Sequence, residues 1–502
     1  MSKKAPRPGV TDQGGGPATI VLPAQGKPAD QVLGTMRAAR RRDAQWHEGK
    51  TWSLVFFPGD EIAAFLKEAY TLFFSENGLN PMAFPSLKKF EAEVVAMTAS
   101  LLGGDSVTAG NMTSGGTESL LLAVLSARDW GRAHDPPILE PEMILPVTAH
   151  PAFDKAAHYF GVRAVHVPVD ERFRASVDAV RAAVTPNTVL IVGSAPSYPH
   201  GIVDPIYELA QLAAERGILC HVDACVGGMM LPFVRRLGYP VPEFDLSVPG
   251  VTSISADLHK YGYAAKGASV ILYKTPALRR HQFFAYTDWP GGIYASAAMA
   301  GTRPGGAIAA AWAIMTHLGE DGYLTLADAT MRAVTRLREG IGAIDGLHII
   351  GDPVMSLLAI GSTTLNVYEL ADEMGLRGWH LDRQQSPPSL HLTVTASHAP
   401  HVEPFLADLA QAADRARRPS LNKAINSLQV RLAQTAARVL PARWTSALTA
   451  RASSLTGGAQ GKGRSAAMYG LIGTLPNRGD VHELVLDMLE QLTRPDEPTV
   501  EP

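Results

Sequence analysis

Three short strings in this sequence carry residue types that could do chemistry together. The first is Thr113-Ser-Gly-Gly-Thr-Glu-Ser119, which runs straight into the apolar stretch Leu120–Leu125. Small residues leading into a helix leave backbone N–H groups free at its start. With the helix dipole they make an anion site, and Gly115 and Gly116 would let the backbone come close to a phosphate that Thr117 could also reach. The second is His221-Val-Asp-Ala-Cys-Val-Gly-Gly228, where Asp223 ends an apolar strand candidate, Ile218–Val222. A carboxylate there points into the crevice where α/β sheets bind ligands, and could serve as counter-ion to a protonated ring nitrogen. The third is Ser255-Ala-Asp-Leu-His-Lys-Tyr-Gly262, in which Lys260 follows the strand candidate Ser253–Ala256. A lysine in a half-buried pocket, its pKa lowered, is a carbonyl-trapping nucleophile.

Each string by itself has an ordinary reading: a helix cap, a structural Asp, a surface Lys. Their order is what combines them. A phosphate loop, a strand-end carboxylate and a strand-end lysine answer the phosphate, the pyridine nitrogen and the aldehyde of pyridoxal 5′-phosphate (PLP), a cofactor that acts as an electron sink.

Positioning three strand-end groups takes a sheet with helices on its faces. From about residue 105 to 319 the apolar runs Met143–Val147, Ala164–Val169, Thr188–Gly193, Ile218–Val222, Ser253–Ala256 and Ser269–Tyr273 alternate with helical stretches such as Asp204 to Arg216, predicting an α/β domain with a mostly parallel sheet. Before it, residues 31–104 read as a helical segment, interrupted at Asn80-Pro-Met-Ala-Phe-Pro85 by its two prolines. Residues 1–30, rich in Gly, Pro and Lys, read as a mobile tail without a signal-peptide core. Residues 320–502 read as a smaller α+β domain. It has a long helix from Leu324, strand candidates at Leu357–Ile360, Thr364–Val367 and Leu390–Val394, a helix at Val402–Arg415, an Ala- and Arg-rich helical insertion at about 418–463, and a last helix from Val481.

The bulk numbers set limits. The chain has 502 residues, 46% of them apolar and 19% charged, with a net charge of −3, which is ordinary for a globular protein with a large core and lacks the basic excess of a nucleic-acid binder. Two cysteines, Cys220 and Cys225, make no disulfide framework and point to a reducing, cytoplasmic setting. No run approaches the roughly 20 apolar residues of a membrane helix, and no His/Cys cluster has metal-ligand spacing. The lone histidines His317, His348, His380 and His391 read as structural.

The same strings resemble the group II decarboxylase family of fold-type-I PLP enzymes, and within it the sphingosine-1-phosphate lyases. The resemblance extends from about Thr51 to Arg415 and resumes at 466–492. Besides the three strings it rests on Ala149-His-Pro-Ala-Phe-Asp-Lys155, Ser194-Ala-Pro-Ser-Tyr-Pro-His-Gly201, Lys266-Gly267, Gly291-Gly-Ile-Tyr-Ala-Ser296, Gly301-Thr-Arg-Pro-Gly305 and Ala467-Met-Tyr-Gly470. It implies a PLP Schiff base on Lys260, with Asp223 on the pyridine nitrogen, His150 and Cys225 against the two ring faces, and Gly116, Thr117 and His259 on the phosphate. It further implies that Thr302 reaches the phosphate of a neighbouring subunit in a homodimer, that Tyr198 and Lys266 line the reaction centre, and that Tyr469 lies at its mouth. The reaction implied is retro-aldol cleavage of a β-hydroxy amine, such as a sphingoid base phosphate, to an aldehyde and a small amine such as phosphoethanolamine. Amino-acid decarboxylation on the same cofactor set, and a non-catalytic PLP-binding relative, are the competing readings.

The chain departs from that resemblance where a substrate would enter. A Ser-Gly-Ala-Val-Tyr type string is here Trp52-Ser-Leu-Val-Phe56, so that Phe56 lacks a hydroxyl and Leu54 replaces a small residue. The loop at Asn80–Pro85 lacks a histidine and carries Met82. Losing donors predicts weaker selection for a phosphorylated head group.

Overall fold

The computed structural model describes residues 20–418 and 478–493. They divide into two units. One holds residues 20–44 and 478–493, with the helices Ala29–Arg40, which has no buried residue, and Arg478–Leu492. Of the expected tail, residues 1–19 lie outside the described residues, as does the insertion beyond residue 418.

The second unit, residues 45–418, is built on a seven-stranded sheet: β1 (Ala109–Thr113), β2 (Glu142–Pro146), β3 (Arg163–Val167), β4 (Thr188–Ser194), β5 (Leu219–Asp223), β6 (Ser253–Ala256) and β7 (Ser269–Tyr273), in the spatial order β1-β7-β6-β5-β4-β2-β3. From β3 through β6 all neighbours run parallel. β7 is antiparallel to both β6 and β1, so it alone is reversed. Residues of β2, β4, β6 and β7 are buried throughout, which is why these strands read as continuous apolar runs rather than as alternation. β1 went unpredicted because Ala-Gly-Asn-Met-Thr has no apolar signature. It is buried by its neighbours: a side chain at Gly110 would stand 2.5 Å from the carbonyl oxygen of Ile271 on β7.

A hairpin of β8 (Phe284–Tyr286) and β9 (Tyr294–Ser296) follows, then the helix Gly305–Gly342. That helix starts well before the predicted Leu324 and is interrupted at Gly319, where φ is +56°. A smaller antiparallel sheet is ordered β10-β11-β13-β12, from β10 (Leu347–Ile349), β11 (Leu357–Ser362), β12 (Asp382–Gln385) and β13 (Pro388–Thr393). The strand expected at Thr364–Val367 is a helix start instead. The Asn366 side chain accepts from the N–H of Tyr368 at 3.0 Å and of Glu369 at 3.4 Å, and Val367 opens the helix Val367–Gly375. Local capping chemistry outweighed the β-branched composition.

The segment before the first long helices is fastened to this small sheet. Trp52 is fully buried, stacked on His398 at 4.4 Å and packed on Phe405 at 4.6 Å. Its carbonyl accepts from Thr393 N–H at 2.7 Å and its N–H donates to His380 O at 3.2 Å. Trp52 is therefore an anchor, and it fixes the place of Leu54 and Phe56 just beyond it.

Candidate active site

The parallel direction of β2, β4, β5 and β6 puts their C-terminal ends along one sheet edge, and the candidate residues follow those ends. His150, Tyr198 and Lys260 each stand four residues past the last residue of a strand (Pro146, Ser194, Ala256), while Asp223 closes β5. β1 runs the same way, so Ser114–Thr117 reach this edge too. Ligands of such sheets bind here because side chains leaving adjacent strand ends converge in the crevice.

The helix Gly116–Arg132 begins with Gly115 at its cap and no side-chain cap, so its first-turn N–H groups are presented to whatever lies before it. Space there is tight. A Cβ on Gly116 would lie 2.9 Å from both Asp257 Oδ2 and Cys225 Sγ, and one on Gly115 would lie 3.3 Å from His259 Cε1. His259 Nδ1 accepts from Ala268 N–H at 3.2 Å, which leaves the ring hydrogen on Nε2 of the neutral imidazole. Burial lowers the His259 pKa and favours that neutral form. The result is a glycine-floored helix start with free backbone donors, an arrangement suited to a phosphate.

Next to the cradle, Lys260 Nζ lies 2.8 Å from Asp257 Oδ2. Burial pulls the lysine pKa down, but Asp257 together with Cys225 and Asp223 more than offsets this, and the net shift is upward. This corrects the expectation of a lowered pKa: a buried carboxylate in contact outweighs desolvation. Asp257 is 2% exposed, and its Oδ1 is buried with no hydrogen-bond partner among the described residues. Asp223, 8% exposed, accepts the Cys225 N–H on Oδ1 at 3.0 Å, which orients the carboxylate. Cys225 is buried, its Sγ 3.3 Å from Ser255 Oγ, and burial next to Asp223 and Asp257 drives its thiol pKa far up. It is an uncharged wall of the site.

Tyr198 donates its hydroxyl to Asp382 Oδ2 at 3.2 Å, and its ring lies against His391 at 4.2 Å. Burial and Asp382 raise its pKa, with the nearby Lys260 ammonium pulling the other way. Lys266 Nζ donates to His259 O at 3.2 Å and stands 5.2 Å over the Phe56 ring, which meets Tyr261 edge-on at 4.9 Å. Burial, then Lys260, lower the Lys266 pKa. Lys260, Asp223, Cys225, Gly115, Gly116, His259, Tyr198, Lys266 and Phe56 thus gather in one place, with Thr117 in the first turn of the cradle helix.

Among the described residues, the contacts above do not include His150 or Thr302. His150 is exposed, its Nδ1 accepting from Ala152 N–H at 3.1 Å. Thr302 is exposed on a loop held at both sides: Met299 N–H donates to Glu118 Oε1 at 2.8 Å, and Arg303 pairs with Glu91. Tyr469 lies outside the described residues.

Sequence reasoning missed three acidic residues. Asp257 stood inside a quoted string, three positions before Lys260. Glu118 stood inside another, and its Oε2 takes both the N–H and the hydroxyl of Ser114 at 2.6 Å. Both read as ordinary helix-start or turn acids. Asp382, from the small sheet, gave no local signal. His391, expected to be structural, lies under Tyr198.

Residues 22–360 match the family model for the pyridoxal-dependent decarboxylase conserved domain. The sphingosine-1-phosphate lyase of Arabidopsis thaliana is 44% identical over 480 residues, 94% of this chain and 81% of that protein. The solved sphingosine-1-phosphate lyase of Burkholderia pseudomallei has a TM-score of 0.77 and 41% identity, covering 80% of this chain and 94% of that one. The Lactobacillus brevis glutamate decarboxylase, at TM-score 0.71 and 19% identity over 80% of this chain and 96% of its own, shows the shared fold. Among the described residues no helix is long and apolar enough to cross a membrane. The chain belongs to the pyridoxal-dependent decarboxylase family and, within it, to the sphingosine-1-phosphate lyases, and is a lyase that uses pyridoxal 5′-phosphate.

Proposed function

We propose that the cofactor is bound covalently at Lys260 and that the chain cleaves the Cα–Cβ bond of a β-hydroxy amine of the sphingoid base phosphate class, releasing a long-chain aldehyde and a small amine such as phosphoethanolamine. The observation that carries this is the contact set Lys260–Asp257–Gly116–Cys225–Asp223, an amine paired with a carboxylate beside a glycine-floored helix start, with the oriented Asp223 carboxylate hydrogen-bonded to the neighbouring Cys225 backbone. The residues fit PLP. Gly115, Gly116, Thr117 and His259 would hold its phosphate, Asp223 its ring nitrogen, and Cys225 and His150 its two faces. The bound group supplies a cationic ring that accepts the electron pair of the breaking bond.

The remaining work falls to the chain. Tyr198, held protonated by burial and Asp382, meets the substrate hydroxyl, and Lys266, whose pKa is lowered, moves a second proton. Phe56 walls the entry below Lys266. Tyr469 belongs at the mouth by its Ala467-Met-Tyr-Gly470 string. Thr302 completes the phosphate site of a second copy, so the active species is a homodimer. Its exposure, and the exposed Phe284, Trp289, Ile293 and Met299 on the hairpin and loop leading to it, support this. Two free buried cysteines support a cytoplasmic setting.

Mass spectrometry of products from a sphingoid base phosphate tests the reading. A long-chain aldehyde with phosphoethanolamine is expected, and carbon dioxide from an amino acid without any aldehyde would replace it with decarboxylation.

A further inference from the structure

The contacts around Tyr198 point beyond Tyr198 itself. The loop after β4 is docked on the small sheet by three neighbouring interactions. The Tyr198 hydroxyl donates to Asp382 Oδ2 at 3.2 Å, the Tyr198 ring lies on His391 at 4.2 Å and 31°, and the carbonyl of Pro199 accepts from Gln384 Nε2 at 2.8 Å. Asp382 and His391 are register partners across β12 and β13, so one strand pair supplies both the floor under the ring and the acceptor at its tip. His391 is fully buried and tied to Thr393 Oγ1 at 3.0 Å and Gln384 Nε2 at 3.3 Å, which makes that floor rigid. Tyr198 is 39% exposed, and Lys260 is near enough to act on it electrostatically.

A phenol that spends its hydrogen on a carboxylate keeps its oxygen lone pairs free, and such an oxygen accepts a hydrogen rather than gives one. Cleavage of a β-hydroxy amine needs an acceptor for the hydroxyl proton. We propose that Asp382 is a positioning residue that acts through Tyr198 as the terminal proton acceptor for the substrate hydroxyl. The Cβ hydroxyl proton passes to Tyr198 Oη as the phenolic proton passes to Asp382. The C–O bond becomes the aldehyde carbonyl as the Cα–Cβ bond breaks, and the bound cofactor would supply the electron sink for that bond's electron pair. One proton returned at Cα closes the balance without any co-reactant. This deepens, and rests on, the lyase reading above. It gives the small sheet a catalytic duty: it carries the base, while the large sheet carries the cofactor.

Among the described residues, Tyr198, His380 (Nε2 at 3.7 Å from Oδ1) and His391, whose pKa burial lowers to about 4, face Asp382.

The test compares wild type, Asp382→Asn, Asp382→Glu, Tyr198→Phe and the double variant Asp382→Asn/Tyr198→Phe, all as PLP-loaded protein, on a sphingoid base phosphate. The spectral change on amine binding is recorded for each. Asp382→Asn and Tyr198→Phe should each lower kcat by ~10²–10³-fold with KM changed less than about threefold, within the range of general-base losses. The double variant should be no slower than the worse single one, because the two groups form one path. Asp382→Glu should recover part of the loss. A kcat for Asp382→Asn within about threefold of wild type, a loss confined to KM, or multiplied losses in the double variant would each overturn the proposal. If wild type itself gives no spectral response and no aldehyde, it is the lyase reading that fails, and the two failures are told apart by that control.

Discussion

Lys260 and Asp257 face each other across one turn of chain, ammonium to carboxylate at 2.8 Å, with the carboxylate almost wholly buried. The pair sets a condition on cofactor loading. An amine must lose its proton before it can attack an aldehyde, and Asp257 holds that proton on.

The sign follows from the raised lysine pKa. The free amine is scarce below that pKa and grows as pH rises, so the rate at which added PLP develops its protein-bound visible absorption should climb with pH across the alkaline range. Asp257→Asn removes the largest factor holding the proton and should move the rise to lower pH by at least ~1 unit, equal to ~1.4 kcal/mol of lost charge interaction. Stopped-flow absorbance across pH checks this; an unmoved profile would mean that Asp257 does not control the amine.

Lys260→Ala should abolish borohydride trapping of the cofactor on the peptide that contains residue 260 and should cost more activity than the ~10²–10⁴-fold expected for a proton carrier. Peptide mapping by mass spectrometry reads the first effect. Trapping on Lys266 in the wild type would reverse the assignment.

Gly116→Ala places a methyl group 2.9 Å from Asp257 Oδ2 and Cys225 Sγ, atoms of a packed and buried wall. PLP affinity should fall by about tenfold or more, ~1.4 kcal/mol, while the circular dichroism spectrum stays native. Equilibrium titration with PLP gives the number, and undiminished affinity would place the phosphate elsewhere.

Thr302→Ala and Lys260→Ala give a complementation test of the shared site. Mixed in solution and allowed to exchange subunits, the two variants form a fraction of heterodimers, each carrying one site with both residues intact. Activity above that of either variant alone is expected. A monomer by sedimentation with full activity would remove Thr302 from the site.

Phe56 meets Lys266 and Tyr261 without a hydroxyl to offer. The ratio of kcat/KM for phosphorylated over unphosphorylated long-chain bases should therefore be modest, and Phe56→Tyr should raise it by about 10–100-fold, the worth of roughly one hydrogen bond to a charged group. A large ratio already present in the wild type would show that other donors select the phosphate.

The sequence by itself determined the cofactor chemistry and most of the large sheet. Gly115-Gly116-Thr117, Asp223 and Lys260 are local signals, because a phosphate cradle needs glycines at a helix start and a strand-end group needs only an apolar run before it. Six of the seven strands of that sheet were legible as apolar runs, four of them (β2, β4, β6 and β7) because burial throughout requires it. β1 was not, since its burial comes from neighbours rather than from its own composition, and Thr364–Val367 misled because a capping Asn366 outweighs β-branched residues nearby. Only the tertiary structure decided what surrounds each reactive group. The net direction of the Lys260 pKa depends on Asp257 turning inward, and the partner of Tyr198 comes from a strand far along the chain. Charge interactions fall off with distance through space, and spacing along the sequence does not give that distance.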